Sequence, residues 1–193
     1  MTSKFENDFQ IPLNPEALAA LPFGDKSVRR LSDLKTYFLN VDKAEAMLQE
    51  DDPVVYETWQ MEYDLDGSGL SIGTTKIYPG NVAGEFFFTR GHFHTDDIGD
   101  ELYVPLTGIG VLALTTKDGE SKVIELKPGD LVYVPGHLAH RTINIGDEPL
   151  TFLSIWASHI DHDYDIVTKS GFPELFFQSD EGYSVVKNPK FAL

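Results

Sequence analysis

Four of the six histidines in the chain fall in two short segments, Gly91-His92-Phe93-His94 and Pro135-Gly136-His137-Leu138-Ala139-His140, and a carboxylate, Glu101, follows the first. In an extended strand, side chains at i and i+2 project to the same face, so His92 and His94 can point inward together while Phe93 packs the other way. Glu101 opens the next strand-like run after the loop 95–100 and can return to the same point, and His140 supplies a third imidazole. Three imidazoles and one carboxylate suit a first-row divalent ion such as iron(II), manganese, nickel or zinc, with positions left for water or substrate. A histidine met singly is more often a core or solvated residue. Here the concentration of four in two segments, with a carboxylate at a fitting offset, favours a metal site. The chain has no cysteine, which excludes disulfides, thiolate metal sites and thiol nucleophiles.

Ligands brought together from distant positions need a stiff scaffold, and the sequence from Pro53 onward reads as one. Strands are predicted over 54–63, 70–78, 85–89, 101–106, 110–116, 122–126, 131–134, 140–145 and 150–156. Turn signals separate them: Asp66-Gly67, Pro79-Gly80, Asp118-Gly119, Pro128-Gly129 and Gly146-Asp147-Glu148-Pro149. Short strands at this spacing predict an antiparallel sandwich or barrel, a class that includes jelly rolls and cupins. Thirteen Phe and eight Tyr agree with sheet packing. Before residue 50 the chain reads as helical or irregular. A short helix is expected over Pro15–Leu21, and another from about Asp42, as N-cap with Glu45 three residues on, to Glu50. The expectation is one domain over 1–193: an N-terminal extension over 1–50, a β-barrel core over 51–165 and a C-terminal segment over 166–193.

With 193 residues, 41% of them hydrophobic and 24% charged, the chain can bury a real core. Its formal charge of -16 opposes nucleic acid and anionic membranes, and disfavours an anionic substrate unless local donors offset it. Met1–Leu21 lacks the basic flank and apolar run of a signal peptide, and no stretch has the roughly 20 apolar residues of a spanning helix. A soluble cytoplasmic protein is therefore expected.

His92-Phe93-His94, six residues, Glu101, six more and Gly108 resemble the first cupin motif, with a longer gap before the glutamate than the general motif carries. Gly129, five residues, Pro135, then His140 and Asn144 resemble the second, with His137 where a glycine usually stands. A wider likeness runs from about residue 27 to 165. It includes Ser27-Val28-Arg29-Arg30-Leu31-Ser32-Asp33, Asp52-Pro53-Val54-Val55-Tyr56-Glu57, Glu85-Phe86-Phe87-Phe88-Thr89, Val132-Tyr133-Val134-Pro135, Ala139-His140-Arg141-Thr142 and His162-Asp163-Tyr164. These segments resemble the cupin-type, archaeal-type glucose-6-phosphate isomerase family.

The resemblance implies an all-β cupin (a double-stranded β-helix, or jelly-roll, barrel) that interconverts glucose 6-phosphate and fructose 6-phosphate. It implies one divalent ion per subunit, iron(II) first, on His92, His94, Glu101 and His140. Glu101 is then the candidate base, and proton transfer is favoured over a hydride shift. Tyr103, two residues on and sharing its face, is either a hydrogen-bond partner of substrate or Glu101, or a core tyrosine. His162 is the candidate acid for ring opening, because histidine titrates near neutrality. Thr75, Thr89, Gly91 and Tyr164 are implied in substrate binding. Arg90 is expected to face away from Thr89, and the Arg29-Arg30 pair to bridge local acids or a partner subunit. Trp156 departs from the family's tyrosine, which puts any acid–base role there in doubt. The resemblance also implies a homodimer. Two other classes remain open: another metal cupin such as a dioxygenase, and a non-catalytic sugar-binding cupin.

Overall fold

A computed structural model describes residues 26–63, 69–95 and 99–192, the side chains of 61–63 excepted. The expected helix over Pro15–Leu21 and the Asp66-Gly67 turn lie outside the described residues.

In chain order, Lys26–Arg30 (β1) leads into a helical stretch: Leu31–Leu34 (α1), a 3-10 turn at Lys35–Tyr37 and Val41–Leu48 (α2). Strands follow at Val54–Tyr63 (β2), Leu70–Ile77 (β3), Asn81–Val82 (β4), Glu85–Phe86 (β5), Phe93–His94 (β6), Glu101–Thr107 (β7), Gly110–Thr115 (β8), Ser121–Leu126 (β9), Val132–Val134 (β10), Ala139–Asn144 (β11), Leu150–Ala157 (β12) and His162–Asp163 (β13). A short helix, Asp165–Ser170 (α3), and a hairpin of Glu174–Ser179 (β14) and Gly182–Lys187 (β15) complete the described chain. No helix among the described residues is long and apolar enough to cross a membrane.

One six-stranded antiparallel sheet runs in the order β1-β2-β3-β12-β7-β10. Three smaller sheets, β11-β8-β9, β13-β6 and β15-β14-β5-β4, form the other layer. The run 85–94 stitches these together: Glu85 pairs with Phe177, Phe88 with Ile143, His92 with His140 and Phe93 with Asp163. Both layers share one core, in which Ile77, Tyr103, Val134 and Phe152 of the large sheet meet Phe88, Leu112, Leu126 and Ile143 of the other layer. This is the jelly-roll barrel of a cupin. Phe38, fully buried, joins the helical stretch to it, with its ring centroid 4.5 Å from that of Phe88. Burying a phenylalanine in this way contributes about 1.5–3 kcal/mol.

The strands predicted from alternation and turn signals are present within a residue or two, except that the run 85–89 is regular only at Glu85–Phe86. Before residue 50 the expectation of a helical or irregular stretch misses β1, which pairs along β2 with Ser27 opposite Thr58 and Val28 opposite Glu57. Helix α2 is capped by Asn40 and not by Asp42: the Asn40 side chain accepts a hydrogen bond from the Lys43 N–H at 3.1 Å. Arg30 turns back on its own neighbourhood, its Nη1 donating to the Asp52 carbonyl at 2.7 Å. The outer strand β9 carries Lys122 and Glu125, charges that blunt an open edge. Inside, Asn144 is fully buried; its Nδ2 donates to the Ile77 and Glu148 carbonyls at 3.0 and 2.9 Å, and its Oδ1 accepts from Gly146 N at 3.0 Å. It thereby fixes the turn after β11.

Candidate metal centre and substrate cavity

The centre is built by two antiparallel contacts. His92 and His140 face one another across a bridge, with His92 N to His140 O at 3.3 Å and His140 N to His92 O at 3.1 Å. Glu101 begins β7 on the opposite sheet, beside Val134 and Trp156. His94 is fixed by its Nδ1, which donates to the Gly99 carbonyl and so leaves Nε2 as the free donor atom. The turn before β11 clamps this loop: Gly136 N donates to Asp100 Oδ1 at 3.0 Å, and any Cβ at Gly136 would collide with the Gly99 backbone. Gly136 thus serves this turn, one residue before the His137 that occupies the usual glycine position.

One donor atom from each of His92, His94, Glu101 and His140 lies within 4.8 Å of every other. The Glu101 Oε2 is 3.4 Å from His94 Nε2 and 3.2 Å from His140 Nε2. Two donors about 2.1 Å from a common ion stand about 3.0–4.2 Å apart, so small side-chain rotations would bring all four onto one cation. The Nε2 atoms of all three histidines and Glu101 Oε2 are buried without a hydrogen-bond partner. Four converging, unsatisfied donor atoms are what a divalent cation fits.

Burial, together with His140, His162 and His94 alongside, holds His92 well below the ordinary imidazole range, so it is neutral and able to ligate. Burial alone would raise Glu101, but contacts with His140 and His94 bring it down to about 2, so it is a carboxylate at neutral pH.

The centre forms one wall of a cavity of about 680 Å3, mouth included, that is also lined by Thr75, Thr89, Gly91, Tyr103, Trp156, His162 and Tyr164. Thus the structure brings every residue singled out for chemistry to this place, His94 standing behind the cavity wall among the four converging donors. Tyr103 stacks on Phe152 with centroids 4.7 Å apart, and burial pushes its hydroxyl well above the ordinary value, so it stays protonated. The His162 ring lies 4.0 Å from that of His92. Burial lowers His162 to about 4, which leaves a neutral imidazole where the sequence suggested one titrating near neutrality. Trp156 is buried, 5.6 Å from His162, and lies against Gly73, where a Cβ would come within 3.0 Å of the indole.

Tyr56, Trp59 and Ser154 line the cavity as well, and nothing in their spacing distinguishes them from core residues. Arg90 does too, contrary to the expectation from strand alternation, with its guanidinium 3.7 Å above the Tyr164 ring. Alternation fails because the chain bulges here: Phe88 faces Ile143 but His92 faces His140, so Thr89, Arg90 and Gly91 stand opposite only Arg141 and Thr142. Gly91 has φ +78°.

Three imidazoles and a carboxylate converging inside a jelly roll define a metal-binding cupin, the class to which fold and site assign the molecule. The family described as glucose-6-phosphate isomerase (GPI) matches residues 28–190, and the chain belongs to it, in its cupin-type, archaeal branch. The glucose-6-phosphate isomerase of Thermococcus litoralis is 40% identical over 190 residues, 98% of this chain and 100% of the relative. That of Pyrococcus abyssi is 42% identical over 171 residues, 89% and 90% of the two chains. Among solved structures, an oxalate oxidase in complex with the substrate analogue glycolate is similar over 59% of this chain and 58% of its own, at 14% identity and a TM-score of 0.45, too distant to speak to activity.

Proposed function

We propose that this protein is a metal-dependent aldose–ketose isomerase that interconverts glucose 6-phosphate and fructose 6-phosphate. The observation that carries the reading is the four-donor centre at one wall of a cavity whose lining also offers hydroxyls, the Gly91 backbone and Arg90. Arg90 is the one Lys or Arg among the described lining residues, and it answers the problem of an anionic substrate in a chain of net charge -16.

A divalent cation held by His92, His94, Glu101 and His140 would supply Lewis acidity to the oxygens on C1 and C2. Iron(II) is the proposed native ion, and manganese, nickel and zinc suit the same donors. Thr75, Thr89, Gly91 and Tyr164 bind the substrate, with its phosphate at the Arg90 end, through hydroxyl and N–H donors. Glu101, ionised at neutral pH, takes the proton from one carbon and returns it to its neighbour. Tyr103, kept protonated by burial, donates to the reacting oxygens. His162, neutral, gives its N–H proton to the ring oxygen as the bond from that oxygen to the anomeric carbon breaks, and takes the anomeric hydroxyl's proton on its other nitrogen. A direct hydride shift is the second reading, favoured by the contacts with His140 and His94 that weaken Glu101 as a base. Reaction in D2O separates the two: deuterium enters the product carbon in proton transfer and stays out in a hydride shift.

A homodimer is part of the proposal. Leu70 and Tyr133, 51% and 56% exposed, share an apolar outer depression with Leu102 and Ile155, the kind of surface a second copy covers. A cytoplasmic location is proposed from the phosphorylated substrate and the absence of cysteine.

The test is a coupled assay for glucose 6-phosphate formed from fructose 6-phosphate, before and after EDTA, with iron(II), manganese, nickel and zinc restored singly. Turnover abolished by EDTA and restored by an ion is expected. Absence of turnover with every ion would refute the reading.

A further inference from the structure

Arg141 sits one residue past a metal ligand but points away from the centre, and it is only 4% exposed. Its guanidinium carbon lies 4.4 Å from the Phe88 ring centroid on one side and 4.4 Å from that of Phe172 on the other. Between these two aromatic faces, Nη2 donates to the Arg90 carbonyl at 2.9 Å and Nε donates to the same oxygen at 3.3 Å. Phe172 also presses on the next residue: a Cβ at Gly91 would stand 2.6 Å from its Cε2.

The carbonyl Arg141 captures is the one in the bulge. On one side of it Thr89 N donates to Thr142 O at 2.9 Å, and Thr142 N donates to the Thr89 hydroxyl oxygen at 3.0 Å. On the other side the His92–His140 bridge resumes the ladder. The extra residue between them is what turns Thr89, Arg90 and Gly91 together into the cavity. The side chain that grips the bulge comes from the strand it bulges away from. A lysine could not reproduce the grip, because it lacks both the planar face for stacking and the two parallel donors.

We infer that Arg141 is a positioning residue for the phosphoryl end of the substrate, gripping the Arg90 carbonyl so that the bulge presents Thr89, Arg90 and Gly91 as an anion-binding rim. The inference rests on the reading of the substrate as a sugar phosphate. Arg141 touches neither the substrate nor the reacting atoms; it acts on binding through the backbone.

The test measures KM and kcat for fructose 6-phosphate, the inhibition constant of inorganic phosphate, and bound metal in the metal-loaded wild type, Arg141→Lys and Phe172→Leu. Arg141→Lys is expected to raise KM and the phosphate inhibition constant together by about tenfold, the cost of a lost charge-assisted hydrogen bond, with kcat changing far less and metal content equal to wild type. Phe172→Leu removes one stacking face and keeps the hydrogen bonds, so a parallel rise of two- to threefold is expected; it decides the matter if the lysine variant does not fold. Unchanged KM and inhibition constant, or a fall in kcat or metal content with KM unmoved, would overturn the inference. If the wild type does not isomerise the substrate, the functional reading fails by itself. Calorimetric titration with inorganic phosphate then still decides the role of Arg141: weaker binding to Arg141→Lys than to wild type upholds it, and equal or no binding to both overturns it.

Discussion

Glu85 carries a cost that one substitution should remove. The residue is 2% exposed; Oε2 accepts from Leu39 N at 2.7 Å, while Oε1 is buried without a partner. Burial, only partly opposed by the Leu39 N–H, Arg141 and Lys190, raises it from 4.5 to about 7. Because the folded form holds its proton more tightly than the unfolded chain, stability is fullest below pH 4.5 and is lost as pH rises to about 7, after which the loss is constant. Linkage over that interval makes the penalty about 3 kcal/mol at pH 8 and under about 1 kcal/mol at pH 5. Glu85→Gln keeps an acceptor for Leu39 N and cannot ionise. The variant should therefore gain on the wild type by about 2–2.5 kcal/mol between pH 5 and pH 8, or about 4–10 °C in Tm for a chain of this length. Thermal unfolding of both proteins at half-unit pH steps checks it, with metal content held equal. A Tm difference that stays flat from pH 5 to pH 8 would refute the argument that burial governs this carboxyl.

His140→Ala removes one of the four donors, so metal affinity should fall by about a hundredfold or more, measured by competition with a chromophoric chelator. Gly91→Ala must hold φ +78° with its Cβ 2.6 Å from Phe172 and 2.9 Å from the His140 carbonyl; a loss of about 2–4 kcal/mol is expected in urea unfolding. Asn144→Ala abandons three hydrogen bonds made by a buried side chain and leaves the Ile77 and Glu148 carbonyls without them. A loss of about 3–5 kcal/mol should appear by the same method.

The convergence of His92, His94, Glu101 and His140 was legible because their residue types are scarce and their offsets leave few geometries: histidines two apart on a strand can share a face, and a glutamate opening the next strand can meet them. The long strands were legible for a similar reason, since β2 and β12 alternate or run apolar between clear turn residues. Arg90 was not, because alternation counts residues and a bulge adds one without any mark in the sequence. β1 was missed since Lys-Ser-Val-Arg-Arg has no apolar period; it is a strand because β2 offers it an edge. The β14–β15 hairpin was missed for a related reason. Leu175 and Phe176 are adjacent and both buried, which breaks a two-residue period, and the turn at Asp180-Glu181 precedes rather than contains its glycine. The neutral state of His162 could not be read either, as it depends on burial among groups brought from other strands.

Lys190 donates through Nζ to the carbonyls of Phe38 and Leu39, residues 152 and 151 positions earlier. During synthesis this clasp has to wait until residue 190 has cleared the ribosome, by which time every strand from β1 to β15 has been made. The Glu85 contact to Leu39 and the packing of Phe38 on Phe88 need nothing beyond residue 88, so the Lys190 clasp closes over them afterwards. Folding dominated by such distant pairings is slow, on the order of milliseconds to seconds, and leaves sheet edges open meanwhile. A cell making this protein has reason to keep a chaperone close to the emerging chain.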